Sequence, residues 1–143
     1  MLPPVEVDPR RFCREAKSWE VSSDVSEFPR LAEEFMQGAL SCRVDGQADR
    51  QGSMQLKLRI QGDVGLTCQR CLGTLMHRID IDFVVHLARD ETELERLDAL
   101  PDGDAILAGA SLDLAAVVED EVLLSLPLVP MHAEGECAPR GVV

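Results

Sequence analysis

The residues best suited to chemistry are the paired thiols of Cys68-Gln69-Arg70-Cys71. Two cysteines three positions apart on a tight turn can face one point, which is half of what a tetrahedral zinc site requires. The other half must come from elsewhere, and His132 and Cys137, within Met131-His132-Ala133-Glu134-Gly135-Glu136-Cys137, are the candidates that lie close together. Three sulfurs and one imidazole make an ordinary structural zinc shell. The pairs are far apart in sequence, so this is no self-contained zinc finger. The other reading is a reduced, partly buried pair without metal. A redox site of the thioredoxin type needs the C-x-x-C where a strand passes into a helix, whose N-terminus lowers the thiol pKa. The residues after Cys71 alternate with strand period, so that helix is missing, although Arg70 would favour a thiolate.

Other catalytic patterns are absent. There is no G-x-S-x-G, no H-E-x-x-H and no glycine loop to cradle a phosphate, so hydrolytic constellations are weak. His77 and His86 have opposite parity within one strand and cannot jointly hold a metal. The carboxylates of Glu119-Asp120-Glu121 diverge around a helix and make no acid/base pair; they form a solvated outer face or a docking surface for Lys and Arg. Arg10, Arg14 and Lys17 lie at helical spacing beside Arg11. They read as a solvated basic turn or as phosphate contacts, to which Lys57, Arg59 and Arg70 could add.

Charge narrows these choices. The 143 residues carry 14 Lys+Arg and 26 Asp+Glu, for a net of −12, but the excess is uneven. Residues 1–89 hold 12 basic and 13 acidic side chains, whereas residues 90–143 hold 2 and 13. An acidic last third suits a cationic partner or a solubilising surface. With 3% aromatic residues the chain lacks the stacking faces of a single-strand nucleic-acid binder. Five cysteines, an odd number, argue against a disulfide framework. No apolar run approaches the ~20 residues that cross a bilayer. The opening MLPPVEVDPRRF lacks the pattern of a signal peptide, so a cytoplasmic address without membrane contact is expected.

The elements that must position these residues follow from periodicity. Residues 1–27 are expected as an extended arm with one short turn near Arg10–Lys17. A short helix is expected over Arg30–Gln37, with Gly38 as its stop. A strand over Ala39–Val44 and a turn at Asp45-Gly46-Gln47 come next. Met54, Leu56, Leu58 and Ile60, then Val64, Leu66 and Cys68, alternate with polar residues, as one strand with a glycine bulge or as two. Leu75, His77, Ile79, Ile81, Phe83, Val85 and Leu87 form a second alternating run, which places Cys68 and Cys71 at the tip of an antiparallel hairpin. Residues 89–104 read as an acidic surface loop, Ala105–Leu107 as a short edge strand, and residues 131–143 as a tail. Asp113–Leu126, opened by Ser111 or Asp113 and stopped by Pro127, reads as an amphipathic helix. The whole is one α+β domain over 1–143, an antiparallel meander with a short N-terminal helix and a C-terminal helix packed on it.

Cys68-Gln69-Arg70-Cys71-Leu72, followed by the run Val118-Glu119-Asp120-Glu121-Val122 and then Leu126-Pro127-Leu128-Val129-Pro130-Met131-His132, resembles the YceD family of bacteria and plastids. Val7-Asp8-Pro9-Arg10 is similar to that family's N-terminal arm. The resemblance implies ribosome biogenesis: accumulation of 23S ribosomal RNA and assembly of the large ribosomal subunit, with no enzyme activity. The expected partner is a basic ribosomal protein or assembly factor of the large subunit, met by Glu119, Asp120 and Glu121. The alternative is a direct 23S rRNA contact through Arg10, Arg11, Arg14 and Arg70. Some relatives carry further cysteines near the C-terminus, which implies a metal clasp there. This chain offers only Cys137, so His132 becomes the needed fourth ligand.

Overall fold

Alternation of apolar and polar residues dominates the chain from residue 37, and the backbone follows it. The computed structural model describes residues 5–35, 37–99 and 104–127. Three long strands, β3 (Gln37–Ala48), β4 (Met54–Thr67) and β5 (Thr74–Ala88), run as an antiparallel meander. On β4, Met54, Leu56, Leu58, Ile60, Val64 and Leu66 are buried, while Lys57, Arg59 and Asp63 face the solvent. Each large side chain buried in this way contributes ~1.5–3 kcal/mol. A slip of one residue would turn the whole set outward, so the register is strongly specified.

Two more strands complete the sheet in the order β2-β3-β4-β5-β6, with β2 (Ser18–Asp24) antiparallel to β3 and β6 (Asp104–Leu107) parallel to β5. The small strands β1 (Glu6–Val7) and β7 (Leu112–Asp113) pair separately. Helix α1 (Pro9–Arg14) opens with a proline in its first turn and with the Asp8 carboxylate accepting the Arg10 and Arg11 N–H groups. It buries Phe12 and Cys13 against β3 and β4. Helix α4 (Leu114–Ser125) is capped by Asp113, which accepts the Ala115 and Ala116 N–H groups and the Val5 N–H. Leu114, Val117, Val118 and Val122 of α4 join the core over β4 and β5. The fold is α+β with a mostly antiparallel sheet, a short N-terminal helix and a C-terminal helix, as the pattern predicts.

Several local expectations are corrected. Residues 18–24 are no loose arm; Trp19 and Val21 of β2 pack on the core. The helix expected over Arg30–Gln37 shrinks to α2 (Leu31–Glu34). Gly38 lies within β3 at φ +134°, where a Cβ would come 2.5 Å from the Asp63 carbonyl oxygen, so it serves a close strand contact and no helix end. The turn expected at 45–47 lies at 49–53, where the Asp49 carboxylate accepts the Gln51 (2.8 Å) and Ser53 (2.9 Å) N–H groups. The acidic stretch 89–104 contains helix α3 (Glu91–Asp98). Its signal was local: Asp90 accepts the Glu93 N–H at 2.8 Å, and the Glu93 carboxylate accepts the Arg89 N–H at 3.0 Å, a near relative of the capping box.

Strand β4 runs unbroken through Gly62, paired with Leu40 on one side and Ile79 on the other. A Cβ at Gly62 would collide with the Ala39 carbonyl oxygen, which belongs to backbone and cannot swing aside. Gly62→Ala is therefore expected to lower stability by about 2 kcal/mol or more in urea denaturation; an unchanged midpoint would mean that the strands do not meet in this register.

Candidate functional site

The β4–β5 connection, residues 68–73, carries the paired thiols at a hairpin tip, as their spacing predicts. The Cys68 N–H donates to the Gly73 carbonyl (2.9 Å) and the Leu72 N–H to the Cys68 carbonyl (2.8 Å), which closes the loop tightly. Leu72 takes a left-handed φ of +61° and leaves its side chain 57% exposed. An L-residue with a bulky side chain holds that conformation at a cost of ~1–2 kcal/mol. Cys68 is fully buried and Cys71 half-buried. Two soft sulfur donors on one short loop fit half of a zinc shell. Among the described residues no third ligand joins them, and His132 and Cys137 lie outside those residues. Strand β5 follows the pair, so the helix N-terminus that would activate a thioredoxin-type thiol is not there. Cys13 and Cys42 lie in the core, where burial pushes the Cys42 thiol up to about 12 and raises that of Cys13 as well. Neither is a nucleophile at neutral pH.

The three acids of α4 have three different surroundings. Glu119, expected on the outer side, is 5% exposed. Its carboxylate accepts the Arg30 backbone N–H at 2.7 Å, and the Arg30 guanidinium lies 3.7 Å away. The same guanidinium donates to Asp120 at 2.6 Å and to the Ala116 carbonyl at 2.9 Å. Glu119 and Asp120 thus clamp α4 to the start of α2. Glu121 is half-buried, and its pKa is pushed up to about 7, first by desolvation, then by Asp104 and Asp120. Helix α3 packs against β6, whose first residue is Asp104. Glu91, Glu95 and Asp98 form one exposed stripe of α3 at i, i+4, i+7 spacing. Among the described residues these three, Asp104 and Glu121 make no ion pair, whereas Glu93 is held by Arg89 (2.7 Å) and Arg96 (3.7 Å). Among the described residues the acids of the last third that make neither an ion pair nor a helix cap lie on α3, β6 and at Glu121. The sequence run of three acids marked only the edge of that set.

The basic residues do not gather into one patch. Arg10, Arg11 and Arg14 are exposed on α1, where Arg11 donates to Glu15 at 2.7 Å. Helix α1 meets the sheet near Gln55, whose carbonyl accepts the Cys13 thiol at 3.5 Å. Arg70 sits beyond Thr67, at the other end of β4 and roughly 40 Å away at ~3.3 Å per residue. Arg59 and Lys57 lie on the open face of the sheet. There Glu20, Arg43, Arg59 and Asp82 stand in one row across four strands, and Arg43 donates to Glu20 and Arg59 to Asp82. That row neutralises itself.

Residues 56–142, more than half of the chain, match the family model described as Large ribosomal RNA subunit accumulation protein YceD. The chain belongs to the YceD family. A YceD relative in Haemophilus influenzae, named Large ribosomal RNA subunit accumulation protein YceD, is 27% identical over 136 residues, covering 94% of this chain and 78% of the relative. No solved structure matches the chain. The YceD match starts inside β4 and takes in the cysteine turn, β5, α3 and α4. Among the described residues no helix is long and apolar enough to cross a membrane.

The surroundings of Glu121 make a pH-dependent prediction. Its carboxyl shifts from 4.5 when unperturbed to about 7 in the fold, so the folded state holds a proton that the unfolded state has released. Stability falls as pH rises through that window, and the full penalty remains above it. Glu121→Gln is expected to stabilise the protein near pH 8 by on the order of 1 kcal/mol, a full shift being discounted for partial solvation. Near pH 4 the gain should vanish. Urea denaturation at both pH values checks this, and an equal gain at each would contradict it.

Proposed function

We propose that this chain is a non-enzymatic ribosome biogenesis factor that supports 23S rRNA accumulation and large-subunit assembly by docking a basic ribosomal protein or assembly partner. The observation that carries the reading is the acidic surface around β6. Asp104 acts on Glu121 there, Glu91, Glu95 and Asp98 are exposed on α3, which packs against β6, and none of the five makes an ion pair among the described residues. A Lys or Arg brought between Asp104 and Glu121 relieves their repulsion. The wider excess of acid in the last third draws such a partner in at long range. The family description supplies the large-subunit context. Protein immobilised on resin is expected to retain large-subunit ribosomal components from lysate at low salt and to release them at high salt. Replacing Glu95 and Asp98 together by Lys should lower that retention about tenfold or more, since each lost charge pair is replaced by repulsion. Retention that ignores both salt and charge reversal would refute the reading.

The cysteine turn serves this function as a brace. Cys68 and Cys71 would hold a structural zinc together with His132 and Cys137, and the metal would supply no reaction, only a crosslink that ties the hairpin tip to the last residues. The donor chemistry, the tight closure of the loop and the burial of Cys68 support this. Protein purified without chelator is expected to contain about one zinc per chain, lost in Cys71→Ser with a fall in melting temperature. A metal-free protein that melts at the same temperature would exclude the brace.

A further inference from the structure

At the end of the sheet opposite the cysteine turn, a cleft of about 630 Å³ opens between α1, the β3–β4 turn and α3. Its size lies in the range that holds a small organic ligand and exceeds what a single ion needs. Arg14 and Arg96, from helices far apart in sequence, both line it. Arg14 makes no ion pair among the described residues. Arg96 has only the long 3.7 Å contact to Glu93, whose carboxylate is held more closely by Arg89 at 2.7 Å. Asp49, the carboxylate in the wall, is already committed to the Gln51 and Ser53 N–H groups. Met54 and Leu97 add apolar residues to the lining.

A chain of net charge −12 repels anions in general, so a cleft lined by two arginines marks where an anion can enter. Guanidinium groups bind phosphate bidentately, and the adjoining apolar residues suit the face of a base. We propose that this cleft binds a nucleoside phosphate, with Arg14 and Arg96 on the phosphate and the base against Met54 and Leu97. The ligand can be a free nucleotide or one unit of an RNA strand. The cleft shares helix α3 with the acidic surface, taking Arg96 and Leu97 from that helix, and does not depend on the partner proposed for that surface.

The test is titration calorimetry of the full chain with adenosine 5′-monophosphate, adenosine, inorganic phosphate and a short single-stranded RNA. The monophosphate should bind with an affinity that drops about tenfold or more in Arg14→Ala and again in Arg96→Ala, the size of one charged hydrogen-bonding group. Adenosine and inorganic phosphate should each bind more weakly than the monophosphate. Both arginines are exposed, and unchanged melting temperatures of the variants would show that the fold is kept. RNA binding tighter than the monophosphate assigns the cleft to a strand, and equal or weaker RNA binding assigns it to a free nucleotide. No binding of either, binding of phosphate alone as tight as that of the nucleotide, or affinities indifferent to both substitutions would overturn the proposal.

Discussion

Burial of one face of β4, over a strand of 14 residues clasped by β3 and β5, is the constraint on which the other features depend. Six apolar side chains of that strand are 8% exposed or less, and a register slip would put all of them in water. The same strand carries the cysteine turn at one end and meets α1 near Gln55 at the other. The cysteine turn and the cleft beside α1 are therefore held apart by a stiff element. Gly38 and Gly62 contribute by letting β3 and β4 approach where a side chain could not fit.

The electrostatics follow from what the fold uses up. Arg30 spends its backbone N–H and its guanidinium on Glu119, Asp120 and the end of α4's first turns, so a buried carboxylate is paired at once. Removing one partner of such a pair leaves the other charged and desolvated, which is costly. Asp113 and Asp90 are spent on helix caps, and Glu93 on Arg89. What remains of the acidic last third among the described residues is concentrated on α3, β6 and Glu121. Composition alone would have spread the charge over the whole segment. On the open sheet face, by contrast, Arg43, Arg59 and Arg78 are each paired with a carboxylate across or along the strands.

The elements read well from sequence where the signal is local. Strict alternation marks the hairpin that carries Cys68 and Cys71, and Asp113 before an apolar stripe marks α4. Helix α3 was hidden because its acidic composition outweighed the Asp90 and Glu93 cap. Strand β2 was hidden because its inward side is short, Trp19 and Val21 being followed at the next inward position by Ser23. The clamp from Arg30 to Glu119 joins residues 89 positions apart and has no sequence signature at all. The cleft is illegible for the same reason, since Arg14 and Arg96 are brought to it by packing alone.

The central claim is that the acidic surface around β6 meets a basic partner during large-subunit assembly. Photoreactive residues placed singly at position 95 on α3 and at position 20 on the open sheet face, in cells, test it most directly, with crosslinked products sought in ribosomal precursor fractions. The account predicts capture of a basic large-subunit protein from position 95 and little from position 20. Equal capture from both positions, or capture from position 20 alone, would contradict it.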